Sequence, residues 1–492
     1  MSQEEARQQQ KEPSRAERSL SKDVAKLASA TTIAAAISIV ATPVVTRLFS
    51  PEAFGTAAIF VSIATVIGII ACLRYELAIL LPKEHSKAAS ILLLCFLITI
   101  LTAAATACGL LLYQLSPIGD SLPFVFWLLP MAVILQGFNA ALIRWNARKR
   151  AFGVNSIARV SEVSTSSALQ VGSGLLTLTS SGALIGGYLG GRTISLAVLI
   201  RKNLSEISAL RGDRKGTLFE LLVRYKKFPL VDSFSAFTNT ASTHLPPLLL
   251  GFFFSPAAAG FYALGYRLIQ LPMATLGNAI AQVFFQRFAE NDEPEQRTRL
   301  TIEVFERLVI IALLPMALIG LLGQEAFSLL FGSKWSEAGI YAEILSLWGF
   351  FWLISSPLSN VFTALERQGL GFGINIIIFS SRLLSLLIGA YFQDARLAIT
   401  LFSASGAIVF FYMLFRVFSL TEITANHPLR IIAKQSLVVA PLVIIILLCQ
   451  IADLADIYLL IIACLSVAAY FSLYYKKLTK LSDPTPKPAT EN

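Results

Sequence analysis

Long apolar runs separated by short polar breaks decide what this chain can fold into. They lie near residues 28–48, 53–75, 88–112, 122–144, 153–178 and 183–200. After a polar stretch they resume near 228–253, 257–286, 304–330, 338–363, 370–391, 396–418, 433–450 and 457–475. Each is long enough to cross a bilayer. In hydrocarbon, backbone N–H and C=O groups find no water, so a spanning run must satisfy them within itself as a helix. The expectation is an all-α polytopic membrane protein with about fourteen transmembrane helices. A composition of 55% hydrophobic and only 14% charged residues over 492 positions agrees with it.

A short block occurs twice, FSPEAFG at Phe49–Gly55 and FSPAAAG at Phe254–Gly260. The copies are about 205 residues apart, the length of six crossings with short connections. Pro43 projects by the same offset to the neighbourhood of Pro246 and Pro247. An even number of crossings per repeat gives both copies one orientation. The expected organisation is two pseudo-symmetric six-helix lobes, 27–202 and 228–420, joined by a basic cytoplasmic linker, 203–227, and followed by an appended helix pair, 421–480. Residues 1–26 lack the apolar core of a signal peptide, and they and 481–492 read as disordered cytoplasmic tails.

The net charge of +10 would suggest nucleic acid, but its placement argues otherwise. Of the 40 lysines and arginines, only Arg47, Lys334 and Arg396 fall in loops on one side, and Arg159, Arg192, Arg267 and Arg382 fall inside spans. The rest share the opposite side. That asymmetry obeys the positive-inside rule and sets both termini in the cytoplasm, with no role for nucleic acid.

Cys72, Cys95, Cys108, Cys449 and Cys464 all fall in apolar runs without a C-x-x-C pair, and the histidines are scattered. No metal or cofactor is expected from that pattern. No phosphate-binding G-x-x-x-x-G-K-[ST] loop occurs, and no outer loop exceeds about fifteen residues, which leaves little room for an external catalytic domain. GGYLGG at Gly186–Gly191 suits close helix packing.

Ionisable residues within the spans are the candidates for chemistry. Arg192, Arg267 and Arg382 lie about nine, eleven and twelve residues into their segments, near half depth. A guanidinium there must face a cavity or a partner, so the three either line a cationic chamber for an anionic substrate or pair structurally. Arg159 and Glu162 stand three apart on one helix and can neutralise each other, or Arg159 can reach substrate while Glu162 titrates as an ion-coupling group. Asp232 can complement a helix N-terminus or bind a coupling ion. His244, beside Pro246 and Pro247, is either a core histidine or a proton carrier next to a broken helix. Arg74-Tyr75-Glu76 ends the second segment as a headgroup anchor or a gate.

TRLFSPEAFG (Thr46–Gly55) and LRYELAILLPKEHSKAA (Leu73–Ala89) resemble the start of Wzx-type polysaccharide flippases. These O-antigen and lipopolysaccharide translocases belong to the multidrug/oligosaccharidyl-lipid/polysaccharide exporter superfamily. The resemblance implies two lobes that alternate their opening around a cationic cavity, and no enzymatic activity. The implied cargo is a polyprenyl-pyrophosphate-linked oligosaccharide, with membrane lipids and polysaccharide assembly proteins as partners. It lends weight to Arg192, Arg267 and Arg382 as cavity residues, with Arg159 a further candidate from the residues alone. A drug or small-cation exporter of the same superfamily, and a membrane-bound polysaccharide polymerase, are the competing readings.

Overall fold

The computed structural model describes residues 15–116, 123–208, 215–424, 426–452 and 454–479. Among them no strand occurs. The longer helices are α1 (Arg15–Leu48), α2 (Pro51–Gly68), α3 (His85–Leu115), α4 (Leu129–Arg148), α5 (Phe152–Leu175), α6 (Ser181–Ser208), α7 (Lys215–Arg224) and α8 (Ser233–Phe253). They continue as α9 (Pro256–Pro272), α10 (Asn278–Glu290), α11 (Pro294–Phe331), α12 (Ser336–Ser355), α13 (Gln368–Tyr391), α14 (Ala395–Leu420), α15 (Asn426–Ile451) and α16 (Asp456–Thr479). Part of the tail expected at 1–26 belongs to α1, which starts at Arg15; the remainder of that tail and 481–492 lie outside the described residues.

Eleven spans among the described residues are long and apolar enough to cross a membrane. The count of about fourteen is not reproduced by that measure. The expected segments at 153–178, 228–253 and 257–286 correspond to α5, to α8 and to the succession α9–α10. α5 is diluted by Arg159, Glu162 and many serines. The third segment is two helices joined by a π-helical stretch, Met273–Gly277. This is a multi-pass membrane protein, and its helices carry lipid-exposable side chains such as Leu101, Ile408 and Leu437 on their outer faces.

The repeated block has one structural meaning in both places. Ser50 accepts a hydrogen bond from the Ala53 amide at 3.3 Å, and Ser255 accepts one from Ala258 at 3.1 Å. Each serine is an N-cap, each following proline takes the first helical position, where its missing N–H costs nothing, and Gly55 and Gly260 are buried one turn on.

The chain forms two compact units, Met1–Gly251 and Phe252–Asn492. In the first, α5 packs on α1 and α6, while α4 packs on α3, α6 and α2. One core gathers Tyr75, Ile79, Leu92, Cys95, Leu142 and Trp145, and Leu221 of α7 joins it. Burying that leucine contributes about 1.5–3 kcal/mol to holding α7 in place.

In the second unit α12 packs on α9, α11 and α14, and α13 packs on α14. α15 and α16 lie on α11, where Ile310, Leu314, Leu318 and Leu322 meet Val439, Ile446, Leu459 and Tyr470. Cysteines follow burial rather than a shared role: Cys72 and Cys95 are core residues, whereas Cys108 and Cys464 are exposed.

Candidate functional site

The first unit gathers the charges of α5 and α6 because the two helices approach at glycine distance. A Cβ on Gly191 would stand 2.4 Å from the Glu162 carbonyl oxygen, and one on Gly187 would stand 2.5 Å from Gln170. Only glycine permits such an approach. It sets Arg192, the next residue of α6, beside Glu162 of α5. The Arg192 Nε lies 3.1 Å from one carboxylate oxygen of Glu162, and an Arg159 Nη lies 3.5 Å from the other.

One carboxylate thus faces two guanidinium groups, leaving the trio with one excess positive charge. The Arg159 side chain is 54% exposed, the Glu162 side chain 14%. Arg192 also lies 5.5 Å from the Tyr188 ring centre, a cation–π contact. Gln136 donates to the Tyr188 hydroxyl at 3.0 Å. Asn139 holds the backbone beneath, donating to the Arg192 carbonyl at 3.2 Å and accepting from Ser195 at 2.8 Å. Such an arrangement can bind an anion: guanidinium forks match phosphate oxygens, and fixed donors leave them little freedom to relax away.

Sequence spacing finds the Arg159–Glu162 contact. It misses that Glu162 is shared with Arg192, since the two are joined by helix packing rather than by register. The GGYLGG run was the available signal.

Asp232 and His244 are brought into the first unit but not to this cluster. Asp232 ends a π-helical turn, Phe228–Asp232, that leads into α8. Instead of only complementing a helix end, it accepts a hydrogen bond from Arg74 Nε at 2.9 Å. The ring Nδ1 of His244 lies 3.2 Å from the Ser62 hydroxyl of α2. The helix break expected at Pro246-Pro247 does not occur: α8 runs through both prolines. Two missing donors are tolerated where the rest of the ladder and neighbouring helices hold the backbone.

In the second unit Arg382 of α13 sits among aromatic rings. Its guanidinium lies 5.8 Å from the Trp348 ring centre and 5.4 Å from that of Phe402. Trp348 stacks on Trp352 at 5.0 Å and on Tyr266 at 5.7 Å. Gly406 makes room for Trp348, since a Cβ there would stand 2.4 Å from the indole. Arg267, beside Tyr266 on α9, is half-buried. The cage was not legible in the sequence, because its rings come from α9, α12 and α14 at spacings no local pattern connects. Among the described residues no group of three or more His, Cys, Asp or Glu could hold a metal.

The fold defines a class. It superposes on the lipid II flippase MurJ, inward closed conformation, with a TM-score of 0.70 at 14% identity, covering 92% of this chain and 99% of that one. It also matches an inward-facing multidrug resistance MATE family transporter of the MOP superfamily, with a TM-score of 0.58 at 12% identity, covering 79% and 96%. The chain has the fold of these multi-pass membrane transporters.

It belongs to the polysaccharide biosynthesis protein family, whose model matches residues 44–339. The model of the lipid II flippase MurJ family matches residues 232–468. Among curated relatives, the teichuronic acid biosynthesis protein TuaB of Bacillus subtilis (strain 168) is 26% identical over 204 residues, 38% of this chain and 42% of that protein. The lipopolysaccharide biosynthesis protein WzxC of Escherichia coli (strain K12) is 26% identical over 140 residues, 28% of each chain. The matched region spans less than half the length of either relative.

Proposed function

We propose that this protein is a flippase that carries a polyprenyl-pyrophosphate-linked oligosaccharide across the bacterial cytoplasmic membrane for cell-surface polysaccharide synthesis. The observation that carries the reading is the Arg159–Glu162–Arg192 trio, an excess of guanidinium over carboxylate within helices of spanning length. A pyrophosphate cannot enter hydrocarbon unaided, whereas a prenyl tail can stay in lipid throughout. Fixed guanidinium groups replace the water that the pyrophosphate loses. The family of the chain and the lipid cargo for which its structural neighbour, the lipid II flippase MurJ, is named favour the same class of substrate.

In this reading both termini are cytoplasmic, the repeats are 27–202 and 228–420, and Arg267 and Arg382 are further candidates for binding the anionic headgroup. The helix pair in 421–480 stands outside the repeat, and polysaccharide assembly proteins take up the product. Glu162, Asp232 and His244 are the candidates for ion coupling.

The reading is tested in proteoliposomes with a fluorescent short-chain polyprenyl-pyrophosphate oligosaccharide. Wild type moves it between leaflets, and Arg192→Ala and Arg159→Ala slow it at least about tenfold, the loss of one charge-assisted contact. Unimpaired flipping by the double variant would remove the cationic site. A lengthened glycan in the products would make the protein a polymerase, and extrusion of cationic dyes without lipid movement a drug exporter.

A further inference from the structure

The turn after α2 contains a second cluster, away from the trio and independent of what cargo is carried. α2 ends at Gly68 rather than at the expected Tyr75. The chain then turns through Leu73 and Arg74, both in the left-handed region at φ 48° and 62°. A bulky residue pays for that conformation, and here it aims the Arg74 guanidinium between two carboxylates. Arg74 Nε donates to Asp232 Oδ2 at 2.9 Å, and Nη1 donates to Glu76 Oε1 at 3.3 Å.

The two acceptors differ in their surroundings. The Asp232 side chain is 44% exposed. That of Glu76 is 8% exposed, and its Oε2 is buried with no hydrogen-bond partner among the described residues. An ionised carboxylate in that position is poorly compensated.

The turn also holds the linker. The Tyr75 hydroxyl donates to the Leu222 carbonyl of α7 at 3.0 Å. Arg148 donates to the carbonyls of Ile79 and Lys83, each at 3.2 Å, and fixes the turn from α4. Arg74, Tyr75 and Glu76 are therefore the point at which the turn before α8 and the end of the linker are tied to the rest of the first unit.

We propose that Glu76 is a proton-binding site that decides how firmly Arg74 holds Asp232, and so whether the 215–235 segment is latched. With Glu76 protonated, the guanidinium belongs to Asp232, and the π-helical turn before α8 is held. With Glu76 ionised, its uncompensated oxygen competes for Arg74, and the hold on Asp232 slackens. The other charged and titratable groups facing Glu76 are Arg144 of α4, Asp232 itself and Cys95 of α3. Arg144 draws the carboxyl toward ionisation; Asp232 opposes that. Burial outweighs the rest and pushes the Glu76 carboxyl above the ordinary glutamate range, against its own backbone hydrogen bond and the pull of Arg74 and Arg144. The switch sits toward neutral pH from an exposed glutamate.

The test is hydrogen–deuterium exchange of peptides covering 215–235 in the full-length protein in nanodiscs, at pH 5 and pH 8, corrected for the intrinsic chemical rate. Wild type exchanges about threefold more slowly at pH 5, the worth of one partly exposed ion pair. Glu76→Gln is slow at both values, and Asp232→Asn is fast at both. Arg74→Gln, which keeps both carboxyls, loses the pH response. A wild type without any pH response overturns the proposal whether or not the variants fold. So does a Glu76→Gln or an Arg74→Gln protein that responds like wild type.

Discussion

Glu76 also ties stability to pH in a way an ordinary surface glutamate does not. Its native carboxyl binds a proton more tightly than it would in an unfolded chain, because burial penalises the charged form. Between the ordinary glutamate range and the raised native value, the native state therefore holds more protons than the unfolded state. Stability falls as pH rises through that window and is unaffected below it. Glu76→Gln removes the slope, so its melting temperature should gain on wild type from pH 5 to pH 8, as read by scanning fluorimetry in detergent. An equal offset at both values would mean that the glutamate does not titrate there. Arg74-Tyr75-Glu76 was visible in the sequence as a charged end to an apolar run. That its glutamate is buried while its arginine reaches a residue 158 positions away was not, because contacts of that separation leave no local pattern.

The seam between α5 and α6 carries its prediction at the level of whole helices. Gly187 and Gly191 face Gln170 and Glu162 at distances no side chain tolerates. Gly191→Leu should push the helices apart, at a cost of about 1–3 kcal/mol for overpacking. It should also separate Arg192 from Glu162 and lower flipping with the charged residues intact. Gly186→Ala, one turn away with nothing within 4 Å of the place its Cβ would take, is the control and should behave as wild type in melting and transport. Helix type and rough extent were legible throughout, since hydrocarbon leaves the backbone a single solution. Helix ends were less so. α2 stops at Gly68 and the region after α9 passes through a π-helical stretch, both within apolar sequence that composition does not punctuate. The duplicated Ser-Pro corners were legible because a cap is made by neighbours in the chain.

At the scale of the whole molecule, the C-terminal pair adds one more expectation. α15 and α16 cover Ile310, Leu314, Leu318 and Leu322 of α11. In water, uncovering that stripe would be ruinous, but acyl chains are as apolar as leucine and take the place of the lost helices. A chain ending after Leu420 should therefore insert and run as a monodisperse species in size-exclusion chromatography; aggregation would show that the pair is integral to the core. The closeness of α5 and α6 has a mechanical consequence. Two rods meshed backbone to backbone cannot slide past one another without a collision, so they travel as one stiff spar with Arg159, Glu162 and Arg192 mounted on it. Any bending during a working cycle is displaced to the ends of that pair, where Arg150, just before α5 begins at Phe152, takes a left-handed conformation at φ 56°.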